Sequence, residues 1–183
     1  MDVKKLFLNV ETEDLDKNVL NGTCILEPYL FLSNRQFATD YDMLRKYQIR
    51  RIVTVQEVKL PPDLQYEGID YKFIQARDEP NFRLDFYFHR AHKWIQESIK
   101  KKERILIHCA MGVSRSASLV IAYFILRFGM SLPEAHLKVL SLRPCISPNI
   151  GFWSQLHRLS LFPLALIRKR KVYFLILEYF LSK

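Results

Sequence analysis

Cysteine and glycine are scarce in this chain, and long apolar runs are missing. Its 183 residues hold three cysteines, Cys24, Cys109 and Cys145. That odd and small number argues against a disulfide framework. The opening stretch MDVKKLF lacks a basic-then-apolar leader, so the chain reads as one for a reducing compartment, the cytoplasm, with the nucleus left open. The two apolar stretches of its tail, about nine and ten residues within 159–181, fall short of the roughly 18–20 that span a bilayer. There are no internal repeats and no low-complexity linker. Of the five histidines, His89, His92, His136 and His157 fall along helix-like segments and none clusters with cysteine or acid. No metal and no cofactor are therefore expected. Net charge is +9, of which residues 159–183 carry +4, so the body is only mildly basic and nucleic acid is not an expected partner.

What remains is enough for one packed domain. We divide the chain into an N-terminal segment 1–22, a domain over 23–160 and a hydrophobic, basic tail over 161–183. "TCILEPYLFLS" reads as two short strands about a turn at Glu27 and Pro28, "ATDYDMLRKYQ" as a short helix, and "RRIVTVQ" and "YKFIQAR" as strands. "RLDFYFHRAHKWIQESIKKK" has the spacing of a long amphipathic helix. "RILIH" is apolar on both faces, as in a buried parallel strand. "SASLVIAYFILRF" predicts a buried helix stopped by Gly129, and Ser131 three residues before Glu134 predicts a capping box. "NIGFWSQLHRLS" closes the domain as a last helix. Alternating strands and helices predict an α/β fold, a mostly parallel central sheet with helices on both faces. Ligands in such folds sit beyond the carboxyl ends of strands, where residues 109–115 fall.

That segment, HCAMGVSRS, carries chemistry. A tight turn between Cys109 and Arg115 can aim the backbone N–H groups of Ala110, Met111, Gly112, Val113 and Ser114 at one point, which the following helix also faces with its positive end. The result is a cradle for a tetrahedral oxyanion. Gly112 supplies close approach or an unusual backbone angle, and Arg115 supplies a planar fork that binds two oxygens at once. A thiol at the base of such a cradle is stabilised as the thiolate, and a thiolate facing a bound phosphoryl group is placed for in-line attack. Cys24 and Cys145 have no such surroundings and read as small buried hydrophobes.

His108, Cys109, Gly112, Arg115 and Ser116 resemble the signature loop of the cysteine-based protein tyrosine phosphatases, in the form found in small, atypical dual-specificity phosphatases. "DEPNFRLDFYFHRAHKWI" is similar to that family's acid loop and following helix, and "RPCISPNIGFWSQL" to its final helix. The resemblance implies the protein tyrosine phosphatase-like fold. It makes Cys109 a nucleophile forming a phosphocysteine, Arg115 the phosphoryl clamp and Asp78 the general acid, with Glu79 and Asp85 as the next candidates. Ser116 would ease departure of the thiolate, and His108 and Asn149 would hold the loop. The implied substrates are phosphorylated proteins carrying phosphotyrosine, phosphoserine or phosphothreonine. The uncharged Ala110, Met111, Val113 and Ser114 weigh against a phosphoinositide head group. A phosphoinositide or RNA 5′-phosphatase and a non-catalytic phosphoprotein-binding module are the alternatives. For the tail, with its Arg168–Lys171 cluster, packing on the body, peripheral contact with an anionic membrane and nuclear import all stay open. Oligomeric state is not legible.

Overall fold

In the computed structural model, which describes residues 22–161, the chain forms a five-stranded sheet in the order β1-β2-β5-β3-β4. Strands β1 (Thr23–Leu26) and β2 (Leu30–Ser33) form the antiparallel hairpin expected about Glu27 and Pro28. From β2 onward the pairing is parallel, through β5 (Arg104–His108), β3 (Ile49–Gln56) and β4 (Asp70–Gln75). The expected α/β fold with a mostly parallel sheet is thus present. The tail over 162–183, its basic cluster and residues 1–21 lie outside the described residues.

Side-chain alternation along the strands decides which core each residue enters. Leu30 and Leu32, Val53 and Val55, and Ile105 and Ile107 face one core, while the intervening Phe31, Ile52 and Leu106 face the other. The smaller core is closed by two short helices. The first, α1 (Arg35–Ala38), is capped by Asn34, whose Oδ1 accepts from the N–H of Phe37. The second, α2 (Tyr41–Lys46), is capped in the same way by Asp40. The larger core is covered by α3 (Phe88–Lys100), α4 (Arg115–Phe128), α5 (Leu132–Leu140) and a last helix, α6, over 150–161. From Arg115 to Ile125 every residue of α4 is buried, because this helix is enclosed by the sheet, α3 and α5. It ends at Gly129 in the left-handed conformation (φ 66°), and Ser131 and Glu134 form the expected capping box.

The segment Leu84–Tyr87, expected as the start of the long helix, is instead a 3₁₀ turn. Gln155 of α6 clamps it, accepting from the N–H of Asp85 at 2.8 Å and donating to the carbonyl of Phe82 at 2.8 Å. Because β2, β5, β3 and β4 are parallel, their carboxyl ends share one edge of the sheet. The loops after Ser33, His108 and Gln75 therefore converge there.

Candidate active site

Cys109 follows β5 directly and is buried. Its sulfur accepts two hydrogen bonds, from the N–H of Gly112 at 3.2 Å and from the hydroxyl of Ser116 at 3.1 Å. Three carbonyls of the loop are tied outward: Ala110 O accepts from the N–H of Arg35 (3.0 Å), Gly112 O from Nε of Arg143 (3.0 Å) and Val113 O from the N–H of Ser147 (2.9 Å). In a planar trans peptide the N–H points opposite to the C=O. Anchoring these carbonyls therefore turns the N–H groups of Met111, Val113 and Ser114 inward. Gly112 makes the turn possible with φ 69°, and a Cβ there would lie 2.5 Å from the carbonyl oxygen of Ser33.

Helix α4 begins at Arg115 with Ser114 as N-cap, yet the Ser114 side chain does not cap it. Its hydroxyl donates instead to Oδ1 of Asp78 at 2.7 Å, so no side chain competes for the first-turn N–H groups. Asp78 Oδ1 also accepts from Nδ2 of Asn149 at 2.8 Å. Asn149 makes two further contacts. Its Oδ1 caps α6 by accepting from the N–H of Phe152 (2.9 Å), while its own N–H donates to Ser114 Oγ (3.2 Å). The acid loop rests on α6 through Gly151, where a Cβ would run into the backbone of Pro80.

Arg115 is 8% exposed. Its Nη1 donates to the carbonyl of Ala76 at 3.1 Å, and its Nε lies 3.5 Å from Oδ2 of Asp78. At that separation Nε makes no hydrogen bond and stays a buried donor short of an acceptor. The other two acids are occupied elsewhere. Asp85 is held by both Nε and Nη2 of Arg83 at 2.9 Å, and Glu79 faces Arg77 at 3.9 Å.

His108 is buried, and burial pushes its pKa down to about 4, so the ring is neutral at physiological pH. A neutral imidazole has one donor and one acceptor. Its Nδ1 faces the Cys109 carbonyl (3.3 Å), which can only accept, so Nδ1 carries the proton and Nε2 accepts from the Thr54 hydroxyl at 2.8 Å. That pair fixes the end of β5 against β3. Arg143 is completely buried. Besides the Gly112 carbonyl it reaches Thr23 Oγ1 at 3.2 Å. Burial lowers its pKa, and the neighbouring sulfurs of Cys145 and Cys109 oppose that shift.

Asp78, Cys109, Met111, Val113, Ser114, Arg115, Ser147 and Asn149 line a cleft of about 380 Å³. Of the residues foreseen from the sequence, Asp78, Cys109, Met111, Val113, Ser114, Arg115 and Asn149 line it, and Gly112 and Ser116 bond to the Cys109 sulfur. Sequence reasoning missed Arg35, Thr54, Arg143 and Ser147, which act on the loop from distant positions. Cys24 and Cys145 are half-buried free thiols, and burial pushes both up, Cys24 to about 12. Among the described residues, no group of three or more His, Cys, Asp or Glu side chains is placed to hold a metal ion. Nor is any described helix long and apolar enough to cross a membrane.

Residues 30–160 match the family described as dual specificity phosphatase, catalytic domain. Over 137 residues the chain is 39% identical to dual specificity protein phosphatase 18 of Homo sapiens, covering 75% of this chain and 72% of that one. It is 35% identical over 137 residues to dual specificity protein phosphatase 22 of Homo sapiens, covering 75% and 73%. Among solved structures, the human tyrosine phosphatase-like serine/threonine/tyrosine-interacting protein superposes with a TM-score of 0.72 at 29% identity, over 78% of this chain and 97% of that one.

Proposed function

Because this chain belongs to the dual specificity phosphatase family and is a protein phosphatase, we propose that its reaction runs through a phosphocysteine on Cys109. The observation that carries the reading is the Cys109 sulfur accepting from Gly112 N–H and Ser116 Oγ at the base of a loop whose amides turn inward. The phosphoryl oxygens take these amides and the Arg115 fork, including the Nε that now lacks an acceptor. Sulfur attacks phosphorus in line, the bond to the substrate oxygen breaks, and Asp78 in its protonated form delivers a proton to that oxygen. In the second step the resulting carboxylate accepts a proton from water, which attacks phosphorus and expels the thiolate. Ser116, already donating to sulfur, stabilises the charge that returns there. The hydrogen bonds from Ser114 and Asn149 hold the Asp78 carboxyl beside the cleft in both steps.

The cleft is open, with Met111 58% exposed on its rim, so it admits the short phosphoserine and phosphothreonine side chains as well as phosphotyrosine. No lysine lines it, which favours a phosphoprotein over a phosphoinositide. We place the substrates among cytoplasmic and nuclear phosphoproteins, where a sulfur nucleophile stays reduced. The test is phosphate release from matched phosphotyrosine, phosphothreonine and phosphoinositide substrates by the wild type and Cys109→Ser. Release from both peptides, abolished in the variant, is expected. Equal release by the two proteins would overturn the mechanism, and phosphoinositide as the faster substrate would overturn the substrate class.

A further inference from the structure

Beside the catalytic cleft runs a second groove of about 510 Å³, lined by His136, Leu140, Pro144, Ile146, Ser147, Pro148, Ile150 and Trp153. It carries no acidic or basic side chain apart from His136, whose ring stands edge-on to Trp153 at 4.8 Å, and burial lowers the His136 pKa so that the ring stays neutral. Ile150 is 71% exposed on the rim of the groove. The groove and the catalytic cleft share Ser147, and the wall between them is the segment 147–150, whose Asn149 faces the cleft while Pro148 and Ile150 face the groove. Another hollow, lined by Glu57, Arg77, Glu79 and Arg83 together with Phe82 and Tyr87, carries the charges that this groove lacks.

We propose that this groove is a substrate subsite, taking one apolar side chain of the phosphoprotein close in sequence to the phosphoresidue. The inference rests on the phosphatase reading above, because continuity with the catalytic cleft identifies the occupant. A chain whose phosphate sits on the Cys109 loop must leave the cleft over its rim. An extended strand advances about 3.3 Å per residue, so a side chain two or three positions from the phosphoresidue reaches past the 147–150 wall. Leucine, isoleucine, methionine or phenylalanine there exchanges water for the faces of Ile150, Pro148 and Trp153, whereas an acidic residue finds no partner. Ile150 is the specificity-determining side chain: it presents most of its surface to the incoming peptide and, at the start of α6, supports no other element of the fold.

The experiment compares phosphotyrosine peptides of Gly and Ser background carrying Leu, Ser or Asp two or three positions to either side, each normalised to hydrolysis of para-nitrophenyl phosphate. For the wild type, a Leu peptide on one side is expected to exceed its Ser counterpart about tenfold in kcat/KM, the effect of partly burying one aliphatic side chain. Ile150→Ser should bring that ratio close to one, and Ile150→Leu should keep it. Binding of the same peptides to Cys109→Ser, read by fluorescence anisotropy, measures the selectivity without turnover. Selective binding without any hydrolysis would refute the phosphatase mechanism and leave the subsite standing. Equal handling of Leu, Ser and Asp peptides, or a preference untouched by Ile150→Ser, would overturn the subsite. So would a dimer-to-monomer change in Ile150→Ser with no change in the peptide ratio, which would make the groove an interface between copies.

Discussion

Replacing Gly112 by alanine probes the loop with a single methyl group. At φ 69° an L residue occupies the left-handed region, at a cost of about 1–2 kcal/mol. The new Cβ would lie 2.5 Å from the Ser33 carbonyl oxygen, 2.6 Å from its carbon and 2.7 Å from Nη2 of Arg143. Ser33 ends β2 and is paired with β5 at His108, so its backbone cannot retreat without opening the sheet. Overpacking of this kind adds about 1–3 kcal/mol, giving a total of about 2–5 kcal/mol. That strain has two outlets. Either the fold carries it and the urea midpoint falls, or the loop turns away and relieves it. The second outlet gives up the Gly112 N–H bond to sulfur and the Arg143 bond to the Gly112 carbonyl. In the first case the cradle persists and the midpoint falls; in the second the cradle is lost, and kcat/KM for para-nitrophenyl phosphate should drop at least about 100-fold, equivalent to about 2.7 kcal/mol. Urea titration followed by tryptophan fluorescence, together with steady-state kinetics, separates the two outlets. A Gly112→Ala protein with wild-type midpoint and activity within threefold would refute the loop geometry.

Asp78→Asn keeps the contacts from Ser114 and Asn149 while removing the transferable proton. Turnover of phosphopeptides should fall about 10²- to 10⁴-fold, with a smaller loss on para-nitrophenyl phosphate, whose leaving group needs less help; equal losses on both would remove the acid role. Arg143→Met leaves the Gly112 carbonyl buried without its charged donor, at a cost of about 1.5–3 kcal/mol. A lowered thermal midpoint with reduced kcat is expected, and a variant matching the wild type in both would show the contact to be dispensable. For His108, whose folded pKa lies near 4 against an ordinary 6.5, the unfolded chain binds a proton that the folded chain refuses. Its contribution should be intact above pH 6.5 and decline by up to about 3 kcal/mol as pH falls toward 4. Urea titrations at a series of pH values should show this slope in the wild type and a flatter one in His108→Gln. Identical slopes would mean the ring is not held neutral.

The features legible in the sequence are those set by neighbours along the chain. A short apolar run at Ile105–Ile107, a Ser-to-Glu spacing of three and a glycine after a long apolar helix announced β5, the capping box and the end of α4 because each is decided within a turn or two. The catalytic loop was legible for the same reason, since Cys109, Gly112, Arg115 and Ser116 lie within eight residues. What was hidden depends on pairings across the fold. Arg143 in "SLRPC" looks like an ordinary solvated arginine, yet it lies fully buried against Gly112 and Thr23, 31 and 120 residues away. Thr54 meets His108 only because β3 pairs with β5 in that register. Helix α1, four residues long, is too short for any periodicity and exists through its Asn34 cap. The 3₁₀ turn at Leu84–Tyr87 answers to Gln155, some 70 residues on. Asp78 was ranked above Glu79 and Asp85 by resemblance alone; its bonds from Ser114 and Asn149 depend on pairings across the fold that the sequence does not display.

The most direct test of the account is to catch the phosphoryl group on sulfur. Ser116→Ala removes the hydroxyl that donates to the Cys109 sulfur at 3.1 Å, which should slow release more than transfer. Mixed with phosphopeptide and quenched in acid within milliseconds, this variant should carry one added phosphoryl group, mapped by mass spectrometry to Cys109. Phosphate released at full rate with no label on Cys109, or label appearing on another residue, would contradict the account.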